Sequence, residues 1–306
     1  MVFRHEYLGG VWIDIEQPHE EEIRDGVKEF PISKQFEKEI LSPTPIPLVV
    51  TDGDTTLLVL HFPAHGAENG DTGNQEVDFI VGEHFIITAH YEVIAPLYHL
   101  KKLLETRELV GGESPITTDV LIEIMFAHFY TSVRDHADNI VDNLARVERD
   151  MFDGHERTTI RSISNINREF LHIEATLANQ EEPLNRFLEE ISKHGSFGVA
   201  FSERSERILA ERTQVARLTT THRAIAAELR ETNTALLGAR QNEIMKTLTT
   251  ITVIVLPLEL IAFIFGMHLP GTPLEKEPNA FLIIMLFMLG AVGCLTLFFA
   301  KKRWIF

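Results

Sequence analysis

The sequence predicts an α+β membrane protein. A mixed α/β domain comes first, then long helices, then a stalk helix continuous with the first of two C-terminal transmembrane helices. Three observations carry that expectation. Between residues 247 and 267 the only ionisable residue is Glu259, and about 20 mostly apolar residues suffice for one helix to cross a bilayer. A second run, 280–300, holds no charge. Upstream, Ile208, Val215, Leu218, Ile225, Leu229 and Leu236 are spaced 7, 3, 7, 4 and 7. That is the heptad seam of a packed helix, and it reaches Asn242 without a proline.

Residues 1–112 read as the α/β domain. Gly10-Val11-Trp12-Ile13-Asp14-Ile15 is strand-like, and Pro18 with Glu20, Glu21 and Glu22 opens a helix. Residues 46–50 and 55–60 flank the turn Asp52-Gly53-Asp54, and residues 77–81 and 85–88 flank Gly82-Glu83-His84. Both are hairpin signals, and short strands beside helices give a small mixed sheet. His65 to Gly73 is a loop rich in Gly, Asn and Asp. His61, His65, His84, His90 and His99 match no zinc-ligand spacing, so they read as ordinary surface or core histidines.

Gly111-Gly112-Glu113-Ser114-Pro115 is a linker, and 113–196 reads as a helical subdomain. Apolar residues recur at helical spacing from Leu121 to Val133 and from Ile160 to Leu177, with a turn at Met151-Phe152-Asp153-Gly154. The acidic run Glu148, Asp150, Asp153 and Glu156 reads as a solvated face. His194-Gly195-Ser196-Phe197-Gly198 breaks the pattern before the stalk, 197–246. His222 falls on the stalk seam. A helix from Ser202 to Met267 would be about 100 Å long at 1.5 Å per residue.

The first span is 247–268, followed by a Pro- and Gly-rich turn, 269–279, the second span, 280–300, and a basic tail, 301–306. Lys301, Lys302 and Arg303 predict a cytoplasmic C-terminus. Two spans then put the N-terminal domain on the same side and the 269–279 loop outside. The start of the chain shows no charged-then-apolar signal pattern. The formal net charge of −17 argues against a nucleic-acid partner. Cys294, the single cysteine, excludes an intrachain disulfide framework. No phosphate loop, nucleophile elbow or paired nucleophile and base is present, so the chain is not expected to be an enzyme or to need an organic cofactor.

On a helical wheel Asn242, Met245, Thr249, Thr252, Leu256, Glu259, Phe263 and Gly266 share one face, spaced 3, 4, 3, 4, 3, 4 and 3. A carboxylate at membrane depth costs roughly 2.5–3.5 kcal/mol and usually faces a bundle interior or a watery path. One such face cannot enclose a pore, so several copies must surround an axis.

Asn242-x-x-Met245-Lys246-x-Leu248-Thr249, Leu256-Pro257-Leu258, Gly266-Met267 and the basic aromatic tail form a motif cluster, and through it the chain resembles the CorA family of divalent-cation transporters. The family signature Gly-Met-Asn stands here as Gly266-Met267-His268, and the turn Leu269-Pro270-Gly271-Thr272-Pro273-Leu274 looks more like the zinc-transporting ZntB branch. The resemblance implies an α/β/α cytoplasmic domain, a homopentameric funnel and a location in the inner membrane with both termini cytoplasmic. It also implies a divalent metal ion as transported substrate. Asn242 would then sit at the cytoplasmic mouth, Met245 and Leu256 would form apolar gates, and Gly266, Met267 and His268 the outer filter. Gly290 and Gly293 would allow close approach within the hairpin. His268 and Glu259, the two candidate metal ligands, depart from the family pattern. An imidazole ring favours Zn2+, Ni2+ or Co2+ over Mg2+, and a carboxylate ring attracts cations and can carry protons. The competing expectation is a membrane-anchored metal sensor or scaffold without conduction, with Glu259 buried between helices.

Overall fold

The computed structural model describes residues 2–64, 73–110, 116–193, 197–198, 200–267 and 278–301. They form two compact units, Met1–Arg230 and Glu231–Phe306.

The first unit is built on six strands: β1 (Val2–Tyr7), β2 (Gly10–Glu16), β3 (Leu48–Asp52), β4 (Thr55–Pro63), β5 (Asn74–Gly82) and β6 (Phe85–His90). Their order in the sheet is β1-β2-β6-β5-β4-β3. Only β2 and β6 run parallel. Both hairpins expected from the turn residues are present, and Gly53 turns the first with a positive φ of 59°. Gly10 is required by close approach, since a Cβ there would lie 2.6 Å from the His84 carbonyl oxygen. β1 was not expected from the sequence. Its Arg4, His5 and Glu6 break the apolar alternation of an interior strand, and it forms the sheet edge, where one neighbour suffices.

Alternation along the strands gives the sheet two apolar faces. On one, Val11, Ile13, Ile15, Leu57, Val59, Ile80, Phe85, Ile87 and Ala89 pack against Ile23 of α1 (Glu20–Val27) and Phe36 of α2 (Lys34–Glu39). On the other, Phe62 and Phe79 meet Phe129 and Phe126 of α4 (Thr118–Phe152), with ring centroids 4.3 and 5.3 Å apart. Each fully buried ring contributes about 1.5–3 kcal/mol. α3 (Ala95–Val110) and α5 (Glu156–Lys193) complete this layer, so the unit is an α/β/α sandwich. Asp153 caps α4 and Gly154, with φ 93°, makes the expected turn into α5.

α6 (Ala200–Gly266) is one helix of 67 residues, and α7 (Ala280–Lys301) has 22. In the first unit the buried seam of α6 runs through Phe201, Ser205, Ile208, Arg212, Val215, Thr219, Ala226 and Leu229. Half-buried His222 fills its 4-3 spacing and stacks on Phe170 of α5 at 6.1 Å. The apolar seam expected from the sequence is thus partly wrong. Ile225 is exposed and Leu218 only half-buried. Thr219 and Ala226 take those places, and the polar seam residues are satisfied by hydrogen bonds within α6 or to α5. Ser205 and Thr219 donate to the Phe201 and Val215 carbonyls at 2.9 Å. Arg212 donates to the Leu177 carbonyl at 2.7 Å and to Glu181 at 3.0 Å.

Candidate functional site

The second unit contains two helical segments apolar enough to cross a membrane, the C-terminal part of α6 and Phe281–Lys301 of α7. Glu259 lies inside the first. Pro257 is held within the same uninterrupted helix.

Burial divides the α6 segment into faces. Thr250 is 5% exposed, and Ile254, Pro257, Leu258, Ile261 and Phe265 are half-buried. The eight residues expected to line a path, Asn242, Met245, Thr249, Thr252, Leu256, Glu259, Phe263 and Gly266, are all exposed. At about 100° per residue the centres of the two sets lie roughly 170° apart. The polar stripe therefore points directly away from the face packed inside the chain. The flanks between them are apolar: Val253, Leu260 and Ile264 on one side, Ile251 and Ala262 on the other. Within a single chain, then, Glu259 is not packed between helices.

Along the stripe the chemistry alternates. Asn242, Thr249, Thr252 and Glu259 are polar; Met245, Leu256 and Phe263 are apolar and 52%, 59% and 69% exposed. Thr252 donates its hydroxyl proton to the Leu248 carbonyl at 2.9 Å, which leaves its oxygen lone pairs available outward. Met267 N–H donates to the Phe263 carbonyl at 3.1 Å, so helical bonding persists to the end of the span. His268, the remaining filter residue, and most of the 269–279 loop lie outside the described residues, as do residues 302–306 of the tail.

Among the described residues no three His, Cys, Asp or Glu side chains gather as a metal site. Among the described residues of one chain, Glu259 therefore has no companion ligands. Gly290 and Gly293 do not mediate close packing within the chain, for a Cβ at either meets nothing within 4 Å. Glu148, Asp150 and Asp153 are exposed.

Two histidines of the first unit, His90 and His61, belong to polar clusters that sequence reading missed. Asp14 is fully buried and accepts from Thr88 Oγ1, from Lys101 Nζ and, at 3.1 Å, from His90 Nε2. Burial works to raise the Asp14 carboxyl. The His90 hydrogen bond and the nearby charges of His90 and Lys101 outweigh it and hold the group below its usual value. The second cluster is Glu76, Asp78 and His61. In both, the available signal was an acid set inside an apolar strand, as in Trp12-Ile13-Asp14-Ile15 and Val77-Asp78-Phe79-Ile80.

Comparison with known proteins covers both units. The family model of the CorA-like Mg2+ transporter protein matches residues 8–303. The cobalt/magnesium transport protein CorA of Methanocaldococcus jannaschii is 22% identical over 303 residues, which cover 96% of this chain and 91% of that protein. The complete structure of the CorA magnesium transporter from the same organism aligns with a TM-score of 0.82, over 98% of this chain and 93% of that one, at 22% identity. The ZntB cytoplasmic domain from Vibrio parahaemolyticus aligns with a TM-score of 0.61 at 12% identity, over 76% of this chain and 89% of that one. Two apolar spans, a polar stripe along the first and a family match across nearly the whole length lead to one conclusion: the chain belongs to the CorA-like Mg2+ transporter family, a family of divalent-cation transporters.

Proposed function

We propose that five copies of this chain surround an axis in the inner membrane, turn the 242–266 stripe inward and pass divalent metal cations between them. The observation that carries this reading is the position of the stripe, opposite the face packed against the rest of its own unit. Facing lipid, each Glu259 would cost roughly 2.5–3.5 kcal/mol; facing a shared watery path, it becomes a ring that concentrates cations. Met245, Leu256 and Phe263 form apolar constrictions that conduct only when wetted. Both termini lie in the cytoplasm and the 269–279 loop lies outside. No organic cofactor takes part. The membrane potential drives inward flow, at about 2.3 kcal/mol per charge per ~100 mV, twice that for a divalent ion.

The outer filter is Gly266, Met267 and His268. A ring of imidazoles accepts Zn2+, Co2+ or Ni2+ directly, whereas Mg2+ sheds its water reluctantly and would pass with its hydration shell. The ring also titrates near neutral pH, so transition-metal flux should fall on acidification, and Glu259 offers a route for coupled protons. The test is ion flux into liposomes, Mg2+ against Zn2+, at about pH 6 and about pH 8. Glu259→Gln should lower flux of both ions at least tenfold. His268→Asn should raise the Mg2+ to Zn2+ ratio and flatten the pH response. An unchanged ratio would remove His268 from the filter. No flux of any divalent ion from a folded oligomer would return the chain to the sensor or scaffold reading.

A further inference from the structure

β5 puts two carboxylates in succession on one face of the sheet, Glu76 and Asp78, because alternate strand residues share a face. Glu76 has a backbone partner. Both its oxygens accept from the Thr44 N–H, at 2.9 and 2.8 Å. His61, opposite Glu76 on β4, donates Nε2–H to the Thr44 carbonyl at 2.8 Å and lies 3.4 Å from Glu76. Both backbone groups of Thr44 are thus clamped to the sheet, and with them the segment 41–47 that leads from α2 to β3. Pro45, Ile46 and Pro47 of that segment wall a cavity of about 410 Å3 against Thr176, Asn179 and Glu182 of α5.

Asp78 has no such partner. It is 1% exposed, its cross-strand neighbours are Val59 and Ala89, and among the described residues no N–H or O–H group reaches either oxygen. The titratable groups that face it are Glu76 on its own strand, Glu39 on α2 and Tyr91 beyond β6, whose hydroxyl is likewise buried and without a partner. A carboxylate there would be an uncompensated buried charge. Burial holds the Asp78 carboxyl well above the usual carboxylate range. The charge of Glu76 and its capacity to accept the proton push the same way, and so does Glu39.

We infer that the segment 41–47 is a latch, held closed by a proton on the buried Asp78 carboxyl and released when that proton is lost. Ionised Asp78 would stand beside ionised Glu76 in an apolar layer. The relief open to the fold is to admit water by releasing the segment that Thr44 pins to Glu76 and His61. An acid held protonated when folded binds more protons than the unfolded chain does, so stability falls as pH rises above about 4. It stops falling only beyond the folded-state value. Opening should grow by up to tenfold per pH unit in that window.

The test is hydrogen–deuterium exchange on the full-length protein in detergent, at about pH 6 and about pH 8.5, corrected for intrinsic exchange. Protection of the 41–48 amides should fall at least tenfold in the parent. Asp78→Asn should stay protected within about twofold, and Asp78→Leu serves in its place if the asparagine variant does not fold. Glu76→Gln should lose protection at both pH values. Parent protection that does not change with pH, or an Asp78 variant that falls as the parent does, would overturn the latch. Ion flux is not part of the readout, so this result stands apart from the proposed pore.

Discussion

Asp14 and Asp78 lie on opposite faces of one sheet, both sealed from water, and their partners send them opposite ways. Asp14 is met by His90, Thr88 and Lys101, which against the pull of burial hold its carboxyl below the usual value; Asp78 is met by acids, and burial together with their charge holds its carboxyl well above it. The sign of each pH effect follows. Asp14 is lowered on folding, so its contribution is present above about pH 4 and is lost as pH falls through its folded value. Asp78 works in the other direction, as argued above. Removing one partner from a buried pair leaves a bare charge, which costs about 3–5 kcal/mol. Lys101→Met should therefore lower the unfolding midpoint sharply. The double variant with Asp14→Asn should regain most of the loss, since neither charge then remains. Equal midpoints for the single and double variants would show that Lys101 acts through its ammonium over the Phe3 ring, with Nζ 5.3 Å from the centroid, and not through Asp14.

At the scale of elements, the two hairpins, the long helices and both spans were legible because turn residues and apolar spacing report directly on backbone geometry. The stalk seam was legible only in period. His222 sits on the seam as expected, but beside it the apolar residues Leu218 and Ile225 give way to Thr219 and Ala226 as the packed positions. A threonine bonded to its own helix, or an arginine bonded to a neighbouring carbonyl, occupies a seam as well as a leucine does, and hydropathy alone does not register this. The same reason hid Arg212. A substitution that follows the heptad rule, Arg212→Leu, should accordingly destabilise. The Leu177 carbonyl loses its charged donor, at a cost of about 1.5–3 kcal/mol. A chaotrope titration of the detergent-solubilised protein checks it, and a gain in stability would mean that apolar seam packing outweighs the bonds to Leu177 and Glu181.

For the whole molecule the question is which side of α6 meets water once the spans are in a bilayer. Exposure in one chain does not separate a lipid-facing side from a path-facing one; polarity and the packed face together do. Thr250, Ile254, Pro257, Ile261 and Phe265 face inward within the unit, and the flanks are aliphatic. The remaining arc carries Asn242, Thr249, Thr252 and Glu259. If copies of the chain close around that arc, single cysteines introduced into a Cys294→Ala background should react with a charged, membrane-impermeant thiol reagent in a 3-4 rhythm. Positions 249, 252, 256, 259 and 263 should label, while 254, 258, 261 and 265 should not. Mg2+ should slow labelling nearest Glu259, where a carboxylate ring would hold it. Cysteines at 249 and 252 should also form disulfides between copies on oxidation, because near an axis like residues approach one another. Labelling confined to the aliphatic flanks, or an unbroken refusal along the Thr249 to Phe263 stripe, would turn the polar arc toward a closed helix contact and remove the path.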